Sequence, residues 1–540
     1  MNGQNNQPSD YRDKILESLK TPYSINRQSI RFKRIMLIII AFISGASIMI
    51  IELAANRVLA PWFGNSLFTW TGLIGVILIA MSGGYYLGGW LADRKSDYLT
   101  LSHLLAASSV SILLIPLLQL VLGNSLIDTD IMLGPVLASV LLFALPGCLL
   151  GSVSPYVIRL TSLLSSDRHI GLSAGTIFMY STLGSVVGTF SAGFILIPHM
   201  QLSTIFLVNS LLIMCLAISG YLILSPDKKL LPFSLLVGLN ALLITLCIII
   251  KPAIDHGVIY DKTTFYHRIK VFQKATKDGD TMTSLYLDTT FQGAQYNRSD
   301  QLPSKYQRYW ELSQVFCPEV KHAAFLGAGA FGMPESLIRA YPEAKVDVVE
   351  IDPQLVEVGR LFFKTNDYPR LNIIINDARR YLLLNEKRYD LIFGDVYNGV
   401  RNVPAHLLSK EFFLLIKRRL EDRGVFMMNL IGAIHGKNSL LFNSTLETIN
   451  SVFKMSYVFV INPKKLDLIQ NIIIIATNYD YRLDIPEIQQ ANKNIQLKQL
   501  LSTFINPKEY AYDVSHAPLL TDNYNPVEYF TAKSIYFANK

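Results

Sequence analysis

Three carboxylates, each placed after a hydrophobic run, carry the chemistry this chain could do. They are Glu350 in Val349-Glu350-Ile351-Asp352, Asp377 in Asn376-Asp377-Ala378, and Asp395 in Phe393-Gly394-Asp395. Upstream lies Phe325-Leu326-Gly327-Ala328-Gly329-Ala330-Phe331-Gly332, a Gly-x-Gly-x-x-Gly loop. Glycines at 327, 329 and 332 let backbone come close to a ligand, and an acid ending the next strand accepts hydrogen bonds from both ribose hydroxyls. Glu350 comes 18 positions after Gly332, which suits that role. Asp377 follows the third strand, where an adenine amino group would be read, and Asp395 follows the fourth. Each acid alone could be a helix cap, and the loop alone a tight turn without a ligand. Taken together they point to one adenosine-type cleft, for a dinucleotide or an S-adenosyl compound.

The elements needed to hold these residues are legible in the hydrophobic rhythm. Strands at 323–326, 346–351, 373–376 and 391–393 alternate with helices at 334–341, 354–363, 378–384 and 409–420. Further strands follow at 425–430, 455–461 and 471–476, with a helix at 438–453. Apolar strands separated by helices predict a parallel, doubly wound α/β sheet of Rossmann type, with ligands at the strand carboxyl ends. Before it, 265–272 and 284–288 alternate with period two and predict a hairpin, followed by a helix at 304–316.

The first half of the chain has another texture. Mean hydropathy is +0.31 and only 17% of residues are charged, too apolar for an ordinary water-soluble enzyme. Seven apolar runs are long enough to cross a bilayer: 35–56, 68–91, 100–123, 131–157, 172–198, 203–224 and 231–250. Small residues recur in them, as in Gly84-x-x-x-Gly88 and Gly184-x-x-x-Gly188, and suit close helix packing. Glu52, at the end of the first run and followed by Arg57, should face the bundle interior and find a partner, in a transport path or a structural ion pair. The first run has no small-residue cleavage site and reads as a retained anchor. The expected organisation is a polar tail over 1–34, a membrane domain over 35–251, a small β-rich domain over 252–318 and a Rossmann-like domain over 319–540.

Basic residues crowd the amino-terminal tail (Arg12, Lys14, Lys20, Arg27, Arg31, Lys33, Arg34) and alternate loops (Arg94, Lys95, Arg159, Arg168, Lys228, Lys229). The positive-inside rule then makes the tail cytoplasmic, and seven spans would carry 252–540 to the other face. Either that is so or one span is miscounted. The net charge of +8 is explained by this topology and is no nucleic-acid signal. Four cysteines in no Cys-x-x-Cys or Cys/His spacing give no reason to expect a metal.

Residues 260–480 resemble the spermidine synthase family of aminopropyltransferases, bacterial members fused to a multi-span membrane segment included. The family's Leu-Asp-Gly-x-x-Gln run is similar to Leu287-Asp288-Thr289-Thr290-Phe291-Gln292, and its Tyr-His/Gln-Glu run to Tyr309-Trp310-Glu311. Val349-Glu350-Ile351-Asp352, Asp377-Ala378 and Tyr389-Asp390-Leu391-Ile392-x-x-Asp395 match in order, and Leu520-Thr521-Asp522-Asn523-Tyr524-Asn525-Pro526-Val527-Glu528 resembles the tail of bacterial members.

This resemblance implies transfer of an aminopropyl group from decarboxylated S-adenosylmethionine to an amine or polyamine, with no permanent cofactor. It also implies Asp395 as base, Tyr309 beside the amine, and Gln292 at the thioether side of the donor. Tyr266, His267, Glu311, Tyr397 and Asn398 would line the acceptor side. The expected partners are the donor, the amine and a bilayer, with a homodimer as a compatible assembly. The expected location is a bacterial inner membrane.

Two positions depart from the family pattern. The family loop reads Gly-Gly-Gly-Asp-Gly-Gly, and Ala330 stands where its acid holds the donor's ammonium. The catalytic loop supplies two acids three residues apart, and here the pair is Asp395 and Asn398. Alternatives are therefore a different acceptor, S-adenosylmethionine as donor for methyl transfer, or a non-catalytic or transport-linked membrane protein that binds a polyamine or nucleoside.

Overall fold

The structure is a computed structural model that describes residues 27–64, 66–127, 133–164, 170–224, 230–250, 256–365, 368–397, 403–506 and 517–538. Of the sequence expectations, Asn398, Arg12, Lys14, Lys20, Arg168, Lys228 and Lys229 lie outside these residues.

The apolar runs form seven long helices: α1 (Arg27–Phe63), α2 (Leu67–Arg94), α3 (Tyr98–Ile127), α4 (Gly134–Leu163), α5 (Ile170–Ser191), α6 (Leu202–Leu224) and α7 (Leu230–Ile249). A π-turn at Ala192–Leu196 prolongs α5 to His199. Among the described residues all seven runs predicted from hydropathy are helices long and apolar enough to cross a membrane. The first overruns its apolar stretch, continuing through Arg57 and Pro61 to Phe63.

Two helix pairs approach so closely that only glycine fits between them. A Cβ on Gly84 or Gly88 of α2 would lie 2.2 Å from the carbonyl oxygen of Cys148 or Ser152 on α4. One on Gly184 or Gly188 of α5 would lie 1.9 or 2.4 Å from the carbonyls of Phe42 and Ala46 on α1. The repeated four-residue spacing puts both glycines of a pair on one helix face, so the backbones themselves form the contact. A buried cluster of Ser109, Ser210 and Asn240 joins α3, α6 and α7 by hydrogen bonds of 2.8–3.2 Å.

Beyond the bundle lies a four-stranded antiparallel sheet in the order β1–β2–β3–β4: β1 (Val258–Thr263), β2 (Arg268–Ala275), β3 (Thr281–Leu287) and β4 (Thr290–Tyr296). The predicted hairpin is its β2–β3 pair, flanked by a strand on each side. The helix expected at 304–316 is a 3-10 turn, Tyr306–Leu312, running into a short α-helix, Ser313–Phe316.

A seven-stranded sheet follows, in the order β10–β11–β9–β8–β5–β6–β7. Its strands are β5 (His322–Leu326), β6 (Lys345–Glu350), β7 (Leu371–Ile375), β8 (Tyr389–Gly394), β9 (Leu420–Gly432), β10 (Met455–Val460) and β11 (Gln470–Thr477). Neighbours from β7 to β9 run parallel, as expected, but β11 pairs antiparallel with both β9 and β10. The all-parallel expectation fails there because the short link from Val460 to Gln470 holds no helix. A parallel crossover needs a dozen or more residues.

Alternate strand residues point to opposite faces, so Phe325 and Phe393 enter one core while Leu326, Ile392 and Phe426 enter the other. Both faces are covered, and each fully buried phenylalanine contributes about 2–3 kcal/mol. Leu67 and Pro61, at one end of the bundle, meet the α/β half directly. Leu67 N–H donates to Glu528 (2.6 Å) and Thr289 Oγ1 to the Pro61 carbonyl (3.0 Å). Lys33 lies over Tyr98 at the opposite end. The start of α1 and the α/β half therefore occupy opposite ends of the bundle, consistent with seven passes.

Adjacent glycines test the close crossing. Gly84→Ala should lower the thermal midpoint of the detergent-solubilised protein, with a cost of about 1–3 kcal/mol from overpacking. Gly83, whose Cβ would meet nothing within 4 Å, should accept alanine without loss. Equal midpoints for the two variants would refute the backbone contact.

Candidate active site

The glycine loop is shaped by the strands on either side of it. Gly327 has φ +93°, and a Cβ there would lie 2.4 Å from the carbonyl oxygen of Asp395. The loop after β5 is thus pressed against the loop after β8, an approach open only to glycine. Asp395 N–H donates to the Leu326 carbonyl (2.8 Å) and Gly327 N–H to that of Val349 (2.9 Å). Gly329 (φ +49°) follows, then Phe331 at φ +59°, a costly conformation for a bulky residue. Its ring is fully buried against Gly359 of the helix Pro353–Phe362, where a Cβ would be 2.4 Å from it. Packing of that ring offsets the backbone strain.

Glu350 ends β6 beneath this loop, with both oxygens on backbone donors. Oε2 accepts from Ala328 N–H (3.2 Å) and Oε1 from Asp352 N–H (2.9 Å). Burial pushes its pKa upward, against the two N–H bonds that lower it. Asp377 begins the helix Ala378–Leu384. Its Oδ1 accepts from Arg380 N–H (2.8 Å) and its Oδ2 pairs with His406 Nε2 (3.0 Å). The His406 bond is the main reason its carboxyl titrates below the ordinary range.

Asp395 follows β8, half-buried by accessible surface. Asn429 Nδ2 donates to its Oδ1 (2.8 Å), and Asn429 Oδ1 in turn accepts from Asn471 (3.0 Å). Burial outweighs the Asn429 bond and lifts the carboxyl to about 6. Around it are two phenols. Tyr306 donates to the Gln292 carbonyl (2.8 Å), and Tyr397 donates to the Asn429 carbonyl (3.0 Å) while accepting from Ile431 N–H (2.9 Å). Burial first, and the Asp395 charge second, hold both phenols neutral well above the ordinary tyrosine range. A carboxyl titrating near neutrality, flanked by neutral phenols, is equipped to take a proton from a nucleophile.

The structure brings most of the predicted residues to the carboxyl edge of the sheet: Gly327, Gly329, Gly332, Gln292, Glu350, Asp377, Asp395 and Tyr397. Four placements differ from expectation. Tyr309 is buried with its hydroxyl on the Val460 carbonyl (3.0 Å) and Thr503 (3.1 Å), at the β10 edge of the sheet. The tyrosine near Asp395 is Tyr306, whose hydroxyl is on the Gln292 carbonyl. Glu311 is paired with Arg308 (3.4 Å) rather than directed at an acceptor. Tyr266 has Asp352, Glu350 and Asp377 as its charged neighbours, which puts it at the nucleoside end. His267 is buried against Asp288 (3.2 Å).

Sequence reasoning missed Tyr306, His406, Asn429 and Asn471. A signal existed only for the first. Tyr306-Gln307 carries the Tyr-Gln half of the run that had been matched three residues later. Gln307 is 2% exposed, and its Oε1 has no hydrogen-bond partner among the described residues.

Residues 311–484 match the family model of the spermine/spermidine synthase domain. The chain is 27% identical over 228 residues to a polyamine aminopropyltransferase of Vibrio vulnificus, covering 40% of this chain and 72% of that protein. It is 22% identical over 443 residues to polyamine aminopropyltransferase 2 of Aquifex aeolicus, covering 78% and 83%. The second alignment is too long to lie within 252–540 alone. A crystal structure of a probable spermidine synthase from Corynebacterium glutamicum aligns with TM-score 0.41 and 19% identity, over 49% of this chain and 96% of that one. The carboxy-terminal half of this chain therefore carries a spermine/spermidine synthase domain, preceded by seven long apolar helices.

Proposed function

We propose that the protein is a membrane-embedded, spermidine synthase-like transferase. It moves an aminopropyl group from decarboxylated S-adenosylmethionine, or a related adenosyl donor, to a polyamine or other amine. The observation that carries this reading is Asp395, a half-buried carboxyl of pKa about 6 among Tyr306, Tyr397 and Asn429, inside the matched domain.

The reaction asks for little beyond alignment and one proton transfer. The acceptor nitrogen attacks the propyl carbon on the sulfonium. The carbon–sulfur bond breaks, its electron pair goes to sulfur, and neutral methylthioadenosine leaves. The proton lost by the nitrogen goes to Asp395; Asn429 occupies Oδ1, so Oδ2 takes it. Glu350 reads the ribose, Asp377 the adenine amino group and Gln292 the thioether side. Tyr306 takes the place beside the amine first given to Tyr309, and Tyr397 and Asn398 are acceptor-side contacts.

Ala330 favours a second reading for the donor. Without an acid to hold the aminopropyl ammonium, S-adenosylmethionine itself becomes a candidate, and methyl transfer would leave S-adenosylhomocysteine. We infer also that the helices cross a bacterial cell membrane with the basic amino-terminal side in the cytoplasm. The α/β half then stands on the opposite face.

Purified full-length protein, given labelled decarboxylated S-adenosylmethionine and putrescine, should release methylthioadenosine. Release of S-adenosylhomocysteine from S-adenosylmethionine would favour the second reading, and release of neither would overturn transfer altogether. Asp395→Asn should lower kcat about 10²–10⁴-fold, with methylthioadenosine affinity kept. A base of raised pKa works in its deprotonated form, so kcat/KM should fall about tenfold per pH unit below about 6. A flat profile from pH 5 to 7 would exclude Asp395 as the base. Topology reporters fused before Met1 and after Lys540 should report opposite sides of the membrane. Reporters on the same side would rule out the seven-pass arrangement.

A further inference from the structure

Arg57 stands on the part of α1 that overruns the apolar run, and its side chain leaves the bundle. Its Nη1 donates to the Tyr266 carbonyl (2.7 Å), and its guanidinium lies 5.6 Å from the Phe265 ring centroid. Its charged neighbours are Asp288 and Asp352. Both of these carboxylates shape the loop between β1 and β2. Asp288 accepts from His267 Nδ1 (3.2 Å) and Arg268 N–H (3.0 Å). Asp352 accepts from Thr264 Oγ1 (2.5 Å), and Thr264 Oγ1 receives the N–H groups of Tyr266 and His267 at 3.0 Å each. Asp352 N–H donates to Glu350 Oε1 (2.9 Å), which ties the loop to the proposed ribose reader.

We propose that Arg57 is a positioning residue of the nucleoside pocket, by which the first apolar helix holds the Phe265–His267 loop over Glu350. The inference deepens the adenosyl-donor reading above and rests on it. A cation between two carboxylates lowers their mutual repulsion where solvent is scarce, and the planar guanidinium serves a carbonyl and an aromatic face at once. Remove it, and Asp288 and Asp352 lose their shared counter-charge while the Tyr266 carbonyl loses its donor. The loop then loosens on the side that faces Glu350 and Asp377. No residue of the α/β half stands in for it at the Tyr266 carbonyl among the described contacts. The bundle is thus a component of the donor site as well as an anchor.

The test uses full-length protein in detergent and two independent measurements. Arg57→Gln should raise the Kd for methylthioadenosine about tenfold and raise KM for the donor with kcat changed less than about twofold. Arg57→Lys, which keeps the charge but not the fork, should fall between, at about threefold. Unchanged affinity in both variants overturns the proposal, as does a fall in kcat with KM unaltered. Where Arg57→Gln does not fold, Arg57→Lys alone decides by the same criterion. The second measurement needs no ligand: amide hydrogen exchange at Tyr266 and His267 should quicken about tenfold in Arg57→Gln (or about threefold in Arg57→Lys). Equal exchange in wild type and variant also overturns it. If the wild type binds no methylthioadenosine while exchange quickens as expected, the donor reading fails and the coupling of helix to loop stands.

Discussion

The close approach of Gly327 to the Asp395 carbonyl is the constraint from which the rest of the site follows. With 2.4 Å available to a Cβ, only glycine lets the β5 loop lie against the β8 loop. That contact puts Ala328 N–H over Glu350 and brings the backbone of Asp395 onto Leu326. It also turns the loop back toward β4 and the Tyr306 turn, where the Gln292 carbonyl meets Tyr306. One backbone contact therefore assembles acids from three strands and a phenol from a fourth element into a single cleft.

Electrostatics in that cleft separate its two ends. At the proposed nucleoside end, Glu350 and Asp377 are engaged before any ligand arrives: Glu350 by backbone N–H groups, Asp377 by a cap and His406. At the other end Asp395 keeps Oδ2 without a hydrogen-bond partner among the described residues and titrates near 6, since burial disfavours its charge more than Asn429 favours it. In the resemblance to the family pattern, Ala330 and Asn398 stand at positions where that pattern has acids.

The helical half bears on the same question of substrates. Its glycine-mediated crossings stiffen two helix pairs, and one of these includes α1, whose far end meets the β1–β2 loop. The end of α1 touches the rest of the chain at Tyr266 through Arg57 and at Thr289 through Pro61. On the proposed topology the α/β half stands opposite the basic loops. A donor made in the cytosol would then have to be delivered across the membrane, which makes topology a functional variable for this chain.

Sequence alone determined the seven apolar helices, the glycine loop, the strand–helix rhythm and the acids that follow the strands. All of these depend on local periodicity or on spacing within one supersecondary unit. The antiparallel β11 was not read, since alternation and apolar content do not distinguish strand direction. Asp395's partner Asn429, and Asn471 behind it, were hidden because they come from β9 and β11, which only the sheet order lines up after β8. Tyr306 and Tyr309 differ by three positions and share a residue type, so only the turn's orientation decided which meets the acid. Arg57 lies 209 positions before Tyr266, in a segment whose texture reads as membrane. Its place at the pocket rim is a product of tertiary packing: a single charge on an apolar helix carries no record of the distant carbonyl and carboxylates that will surround it.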